Sequence, residues 1–326
     1  MNYRFAFSCW IIVSLFSIAN AEGQEVNVRI AIDKSLPYLW SEGQGWIDKR
    51  GCVSCHQIPF MVWSLNAAST KEFEVDEQKL QELINWSTTI DNFVNPKNRD
   101  QDDQQEVDTA NGNIDTMAQL LLAVDDIEER NPSAWREKFS QYLSNAQQAD
   151  GTWKACGQLP AQKRPKPETT AVTTYWTAYS LRTLNSEAPF KFPIFDEENT
   201  TENSGESTEW WAVQLLLAHQ SGDSAKVSKL QKRLIEFQHE DGGWGWLTAD
   251  ESDAFGTGVA IYSLLKSGVR EETSEIKDAI NFLLKTQEPN GAWQVRSTKG
   301  KHQKQFTPTA TYWGTAWAII GLLETL

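Results

Sequence analysis

The sequence predicts an all-α protein in which about six helical hairpins close into an α/α barrel, or toroid, with an inner ring of helices inside an outer ring. Three observations predict it. Apolar residues recur at three- and four-residue spacing, which gives one stripe per helix. Tryptophan marks turns along the chain, at Gly45-Trp46, Gly151-Thr152-Trp153, Gly242-Gly243-Trp244 and Gly291-Ala292-Trp293, separated by 107, 91 and 49 residues. Amphipathic helices alternate with helices that are apolar over most of their circumference, and such helices must be buried on nearly all sides. A unit of about 50 residues implies two unmarked units, near 100 and 200, and hence six in a row. Regular alternation favours the closed ring over an open solenoid.

The outer helices come first in each unit. Ala31, Ile32, Leu36 and Leu39 precede Trp46; Leu80, Leu83 and Ile84 precede the unmarked second turn; Trp135, Phe139, Tyr142 and Leu143 precede Trp153. Leu230, Leu234 and Phe237 precede Trp244, and Ile276, Ala279, Ile280, Leu283 and Leu284 precede Trp293. The inner helices are predicted at 56–68, 113–124, 168–185, 207–219, 253–266 and 307–325. Their N-cap candidates are Asn113 or Asp115, Thr169, Ser207, Asp253 and Thr307. Thr174, Thr257, Gly258 and Gly314 are small enough to let neighbouring inner helices approach. Unit four has no apolar periodicity between Ser186 and Ser207, so its outer helix is short or missing. Segments 93–112 and 154–168 read as long loops gathered on one rim.

The turns Gln148-x-Asp150-Gly151-Thr152-Trp153, Gln238-x-x-Asp241-Gly242-Gly243-Trp244 and Gln287-x-x-Asn290-Gly291-Ala292-Trp293 resemble the QW motifs of squalene-hopene cyclases and prenyltransferases. The resemblance covers most of the chain after residue 21. It implies an α/α toroid in which each Gln caps a neighbouring helix and each Trp ring stacks beneath, so that these residues are structural. It says little about chemistry.

Residues 1–21 read as an export signal: Arg4, an apolar run from Phe5 to Ile18, and a small-x-small site ending at Ala21. The run is short for a membrane span. Residues 22–326 then form a single toroid domain, periplasmic or secreted, with no transmembrane span after cleavage. The net charge of −14 becomes −15 once Arg4 is removed, which disfavours nucleic acid and anionic lipid as partners. Three cysteines remain, Cys52, Cys55 and Cys156, an odd number that cannot form a disulfide framework.

Gly51-Cys52-Val53-Ser54-Cys55-His56 is the attachment signature of a c-type haem. Cys52 and Cys55 would each add across a haem vinyl group, and His56 would ligate the iron. A Cys52–Cys55 disulfide is the simpler alternative, and half of a zinc site the weakest. The candidate sixth ligand is His302, in the loop of unit six, which ring closure places beside unit one; Met117 follows. Met61, His219 and His239 are poorer candidates. With no sixth ligand the iron is open to a small molecule.

Cyclisation chemistry needs a buried carboxylic acid kept protonated. The literal DxDD match, Asp100-Gln101-Asp102-Asp103, has only polar and charged neighbours and reads as a solvated loop. Asp250-Glu251-Ser252-Asp253 lacks paired aspartates, and Asp253 reads as an N-cap. The leading expectation is an exported haem protein that transfers electrons to a partner or senses a small ligand. The alternatives are an isoprenoid-binding or cyclase-related toroid whose cavity is lined by Tyr175, Trp176, Tyr312, Trp313 and Trp317, and a repeat scaffold with an oxidised Cys52–Cys55 pair.

Overall fold

The computed structural model describes residues 6–53, 57–99, 103–124, 134–156, 164–184, 190–191, 205–302 and 304–326. Twelve helices are defined among them, and no named β-strand. They are α1 (Ala6–Arg50), α2 (Ile58–Thr70), α3 (Glu77–Ser87), α4 (Asp103–Asn111), α5 (Ile114–Ala123) and α6 (Ala134–Asn145). The second half has α7 (Thr169–Thr183), α8 (Thr208–Gln220), α9 (Ser224–Glu236), α10 (Ala254–Lys266), α11 (Ser274–Thr286) and α12 (Pro308–Leu323).

Six of these, α2, α5, α7, α8, α10 and α12, are the predicted inner helices, and their buried residues run round the whole helix. Each packs on the next, and α12 packs back on α2, which closes the inner ring. The outer helices α3, α6, α9 and α11 bury a single stripe, such as Ile276, Ala279, Ile280 and Leu283 in α11. α11 also meets α1, so the outer layer joins where chain start and chain end come together. The ring is therefore a toroid and not an open solenoid. Among the described residues α2, α5, α7, α10 and α12 each follow a helix of the outer layer, and one guanidinium, Arg164, links the starts of α5, α7 and α8 on one rim.

Three turns carry one set of bonds. The indole N–H of Trp153, Trp244 and Trp293 donates to the carbonyl ten residues earlier, on Leu143, Leu234 and Leu283, at 2.6, 2.7 and 2.8 Å. The backbone N–H of each Trp donates to a threonine hydroxyl one inner helix on, Thr174, Thr257 or Thr315, at 3.0 Å in all three cases. Gln238 Nε2 reaches Glu275 O on the next outer helix at 2.8 Å, and Gln287 Nε2 reaches Ala31 O on α1 at 2.8 Å. In the first of these turns the bridging residue is Gln147, not Gln148: its Nε2 bonds Gly151 O and Lys191 O, while Gln148 Oε1 only accepts from Thr152. Counting three residues from Asp150, as in the other two turns, would have found it.

Other expectations are corrected. Gly45-Trp46 is not a turn; both residues lie inside α1, which runs on to Arg50 and stops at Gly51 with φ +63°. The segment 93–112 contains α4 in addition to loop. Thr169 is the first residue of α7, whose N-cap position is Glu168, and Asn113 makes no side-chain cap bond. Ser207, Asp253 and Thr307 do cap α8, α10 and α12. The unit-four segment without periodicity lies mostly outside the described residues. The apolar part of the predicted export signal falls within α1, and among the described residues no helix is long and apolar enough to cross a membrane.

Close approach sets two glycines apart. Gly291 has φ +86°, and a Cβ there would overlap the Lys34 carbonyl of α1. Gly45 is helical with no atom within 4 Å of a built Cβ. Gly291→Ala is expected to lower unfolding stability by at least ~2 kcal/mol, and Gly45→Ala to raise it by about 0.5–1 kcal/mol. Denaturant titration of the two variants checks both; equal effects would contradict the assignment of Gly45 to a helix.

Candidate functional site

The rim that carries the inner-helix N-termini is where polar groups converge. Residues 54–56, with Ser54, Cys55 and His56, lie outside the described residues; the flanks of the motif are described. Trp46 Nε1 donates to Cys52 O at 2.9 Å, and Val53 N donates to Asn92 O at 2.7 Å. On the far side Gln57 O accepts from Tyr312 Oη at 3.1 Å, which ties the entry to α2 to helix α12 across the ring closure. Val53 and Ile58 are both buried. Three residues, 54–56, separate these two fixed points. Cys52 is half-buried, and burial pushes its thiol pKa up while the nearby charges of Arg50 and Arg99 pull it down.

A second cluster, not foreseen from sequence, is wholly buried. Arg164, from the segment before α7, donates to Asp115 Oδ1 at 2.9 Å and in a two-pronged bond to Glu209 at 2.9 and 3.0 Å. Thr173 Oγ1 donates to Asp115 at 2.9 Å, and Trp176 Nε1 donates to Glu209 Oε1 at 2.9 Å. One guanidinium therefore links the starts of α5, α7 and α8. Burial pushes the Asp115 carboxyl above the usual range against the pull of Arg164. Beside it, Glu168 accepts from the backbone of Glu206 and from the Ser207 hydroxyl. The sequence showed Arg164 only as one cation in a Pro-rich loop, and Glu209 only as a charge inside an apolar run.

The ring interior is filled with aromatic side chains. Trp63 of α2 meets Trp317 of α12 at 5.5 Å, Tyr262 of α10 at 5.7 Å and Trp176 of α7 at 6.5 Å between ring centroids. Trp176 and Trp317 themselves stand 5.7 Å apart. Helices on opposite sides of the ring therefore touch through their rings, and the interior is packed at this level. Tyr175, Trp176, Tyr312, Trp313 and Trp317, expected to line an open cavity, are all buried in this packing. Trp246, Trp313 and Trp317 have buried indole N–H groups with no acceptor among the described residues.

At the mouth, between units five and six, lies a cleft of about 520 Å³ lined by Trp246, Asp250, Ser252, Asp253, Arg296 and Lys304 among others. Asp253 acts as a clamp in it: Oδ1 accepts from Gly256 N and Oδ2 from Trp246 N, each at 2.8 Å. This is the N-cap expected from sequence. Burial pushes its carboxyl up to about 7.

The remaining candidates are dispersed. His302 sits on an exposed 3-10 turn (Gly300–His302), its Nδ1 3.4 Å from Gln305 Oε1. Met117 is fully buried in α5, two residues after Asp115, and Met61 is buried in α2. His239 Nδ1 bonds Ser252 Oγ at 2.9 Å within a turn, and His219 is exposed near the end of α8. Asp100 and Asp102 of the DxDD match lie outside the described residues; Asp103 is the first residue of α4.

Two outcomes follow. Arg164→Ala leaves Asp115 and Glu209 buried without their cation and should cost about 3–5 kcal/mol of stability at pH 8. The loss should shrink as pH falls, because burial holds the Asp115 carboxyl above its usual range, and chemical denaturation at pH 8 and pH 5 measures it. Asp253 titrates higher folded than unfolded, so its stabilising contribution is complete below its ordinary pKa of 3.8 and is lost as pH rises towards about 7. Asp253→Asn keeps an acceptor and does not titrate. Its Tm relative to the unsubstituted protein should therefore improve between pH 4 and pH 8, and a constant gap would contradict the assignment.

No protein-family profile and no curated protein sequence matches this chain. Solved structures do. A variant of the type II terpene cyclase MstE from Scytonema, in complex with geranylgeranyl dihydroxybenzoate, matches with TM-score 0.53 at 12% identity, over 93% of this chain and 98% of that one. A possible member of the GH105 family from Salmonella enterica serovar Paratyphi A matches with TM-score 0.50 at 14% identity, over 83% and 84%. Identities this low establish the fold alone, and that fold is a terpene-cyclase-like α/α toroid.

Proposed function

We propose that this chain is a non-cyclising, terpene-cyclase-related toroid protein that carries one c-type haem on its rim, outside the cytoplasm, where it exchanges electrons with a partner protein or senses a small ligand. The Cys52-Val53-Ser54-Cys55-His56 motif carries the reading. Its support is the way the flanks are held, with Cys52 and Val53 tied to Trp46 and Asn92 and Gln57 tied to Tyr312. A covalent group needs a loop whose two ends do not wander, and these ends are anchored in the core. The donor set suits haem c: two thiols for thioether bonds and one imidazole for iron.

Cys52 and Cys55 would hold the group and His56 its iron, with His302 the first choice and Met117 the second for the sixth position. When bound, haem supplies one-electron exchange and, if the sixth position is open, ligand binding. Buried Val53 and Ile58 would keep water from the root of the loop. The filled interior argues against cyclisation, because rings that touch across the toroid leave no room at that level for a polyene.

A second reading is favoured by one observation. The acceptorless indole N–H groups of Trp246, Trp313 and Trp317, set among aromatic rings, suit an apolar isoprenoid-like molecule with a carbonyl or hydroxyl oxygen. The MstE complex, a toroid holding a geranylgeranyl compound, is in keeping with that reading. One preparation separates the two. Protein made in a bacterial host with c-type maturation should show a Soret band that survives acid–acetone extraction. Colourless protein that releases an apolar compound into organic solvent would favour the second reading, and colourless protein with an oxidised Cys52–Cys55 pair would favour a plain repeat scaffold.

A further inference from the structure

The cleft between units five and six has walls of opposite charge. One wall is the loop 246–253, which carries Asp250, Glu251 and Asp253 and no cation. The other is the segment 294–306, which carries Arg296, Lys299, Lys301 and Lys304 and no acid; Arg296 and Lys304 line the cleft. Its floor is apolar, with Trp246, Phe282 and Trp293, each less than 9% exposed. The indole N–H of Trp293 is spent on Leu283 O, whereas that of Trp246 is buried and has no acceptor among the described residues.

Each wall is braced from within. In the acidic loop Asp253 N donates to Trp244 O at 2.9 Å and Asp250 N to Leu247 O at 3.0 Å. A Cβ on Gly256 would stand 2.2 Å from Gly245 O, so the loop lies directly on the start of α10. The basic segment is a short hairpin: Ser297 N donates to Gln305 O at 2.8 Å, Lys304 N to Ser297 O at 3.1 Å, and Arg296 Nη1 to Lys304 O at 2.7 Å. Lys304 is held at φ +67°, a conformation costly for any residue but glycine. The walls attract, yet among the described residues the one ion pair across them is the long contact of Arg296 Nε with Glu251 Oε2, at 3.8 Å. Asp250 and Lys304 have no ion-pair partner there. The space left open, about 520 Å³, falls within the range of roughly 300–1,000 Å³ usual for small-molecule sites.

We propose that this cleft binds a short apolar peptide by its two ends, the ammonium on Asp250 and the carboxylate on Lys304, with a peptide carbonyl accepting from Trp246 Nε1. The inference rests on neither the haem nor the isoprenoid reading. Charge decides the ligand class. An anion alone meets the acidic wall, a cation alone meets the basic one, and a neutral isoprenoid leaves both walls without partners. A zwitterion with an apolar body answers both walls and the aromatic floor. Its end groups form charge-assisted hydrogen bonds, the stronger kind, and its carbonyl satisfies a donor that is costly to leave buried and unpaired.

The test is isothermal titration calorimetry of the purified full chain with leucyl-phenylalanine, its N-acetyl form, its C-terminal amide, and geraniol as a neutral isoprenoid. The free dipeptide is expected to bind, and each blocked form about tenfold more weakly or worse, the loss of one charged partner. Asp250→Asn should weaken the free dipeptide to a similar degree and leave the N-acetyl form unchanged; Lys304→Gln should do the same with respect to the amide. Trp246→Phe should weaken all three peptides. Arg270→Gln, exposed beyond the far end of α10, should change nothing. Circular dichroism checks that the variants are folded, and the two exposed-wall variants decide the matter if Trp246→Phe is not. No heat with the dipeptide at millimolar concentration, equal binding of free and blocked forms, or variants that weaken free and blocked forms alike would each overturn the proposal. Geraniol binding in place of the dipeptide would overturn it in favour of the isoprenoid reading.

Discussion

Each of Trp153, Trp244 and Trp293 makes two hydrogen bonds that join layers of the toroid: the indole N–H reaches back to the outer helix just completed, and the backbone N–H reaches forward to a threonine on the inner helix to come. The ring itself is at most 1% exposed in all three. Burial of such a side chain is worth about 3–5 kcal/mol by the cost of truncating it, and the two bonds satisfy polar groups that would otherwise be stranded in the core. Because each turn also sends a glutamine to the next outer segment, unit fixes unit in sequence. The last glutamine, Gln287, bonds α1, and the circle closes. The starts of α5, α7 and α8 are gathered on one rim, where the buried Asp115, Arg164 and Glu209 meet.

Much of this was readable in advance. Inner helices are apolar on all sides, a signal that survives any uncertainty in register, and their boundaries fell within about two residues of expectation. Where reading failed, local composition misled. Gly45-Trp46 has the letters of a turn, but Gln44 stands before its glycine where the three true turns have Asp150, Asp241 or Asn290, and the chain stays helical. Helix α4 has only Val107 and Ala110 as apolar residues, too few for periodicity to reveal it. Gln147 and Gln148 stand together, and only bond geometry separates their roles. The Asp115–Arg164–Glu209 cluster could not be foreseen, because its members are 49 and 45 residues apart and each has an innocent local reading.

The motif that points to chemistry was legible as letters, and its surroundings were not. Nothing in the sequence placed Asn92, Trp46 and Tyr312 against the flanks of Cys52–His56. Together they hold the flanks of that motif at the edge of a closed, aromatic-filled toroid. Fold resemblance to a terpene cyclase is compatible with this, since a ring of helices can keep its turns while its centre is packed solid.

A tryptic digest of protein made in a host able to attach haem gives the most direct measurement. Cleavage after Arg50 and Lys71 releases Gly51–Lys71, which contains both motif cysteines and no other basic cleavage point. The account predicts that this peptide carries the added mass of one haem and absorbs in the visible. The same peptide at its unmodified mass, or lighter by two hydrogens, would contradict it.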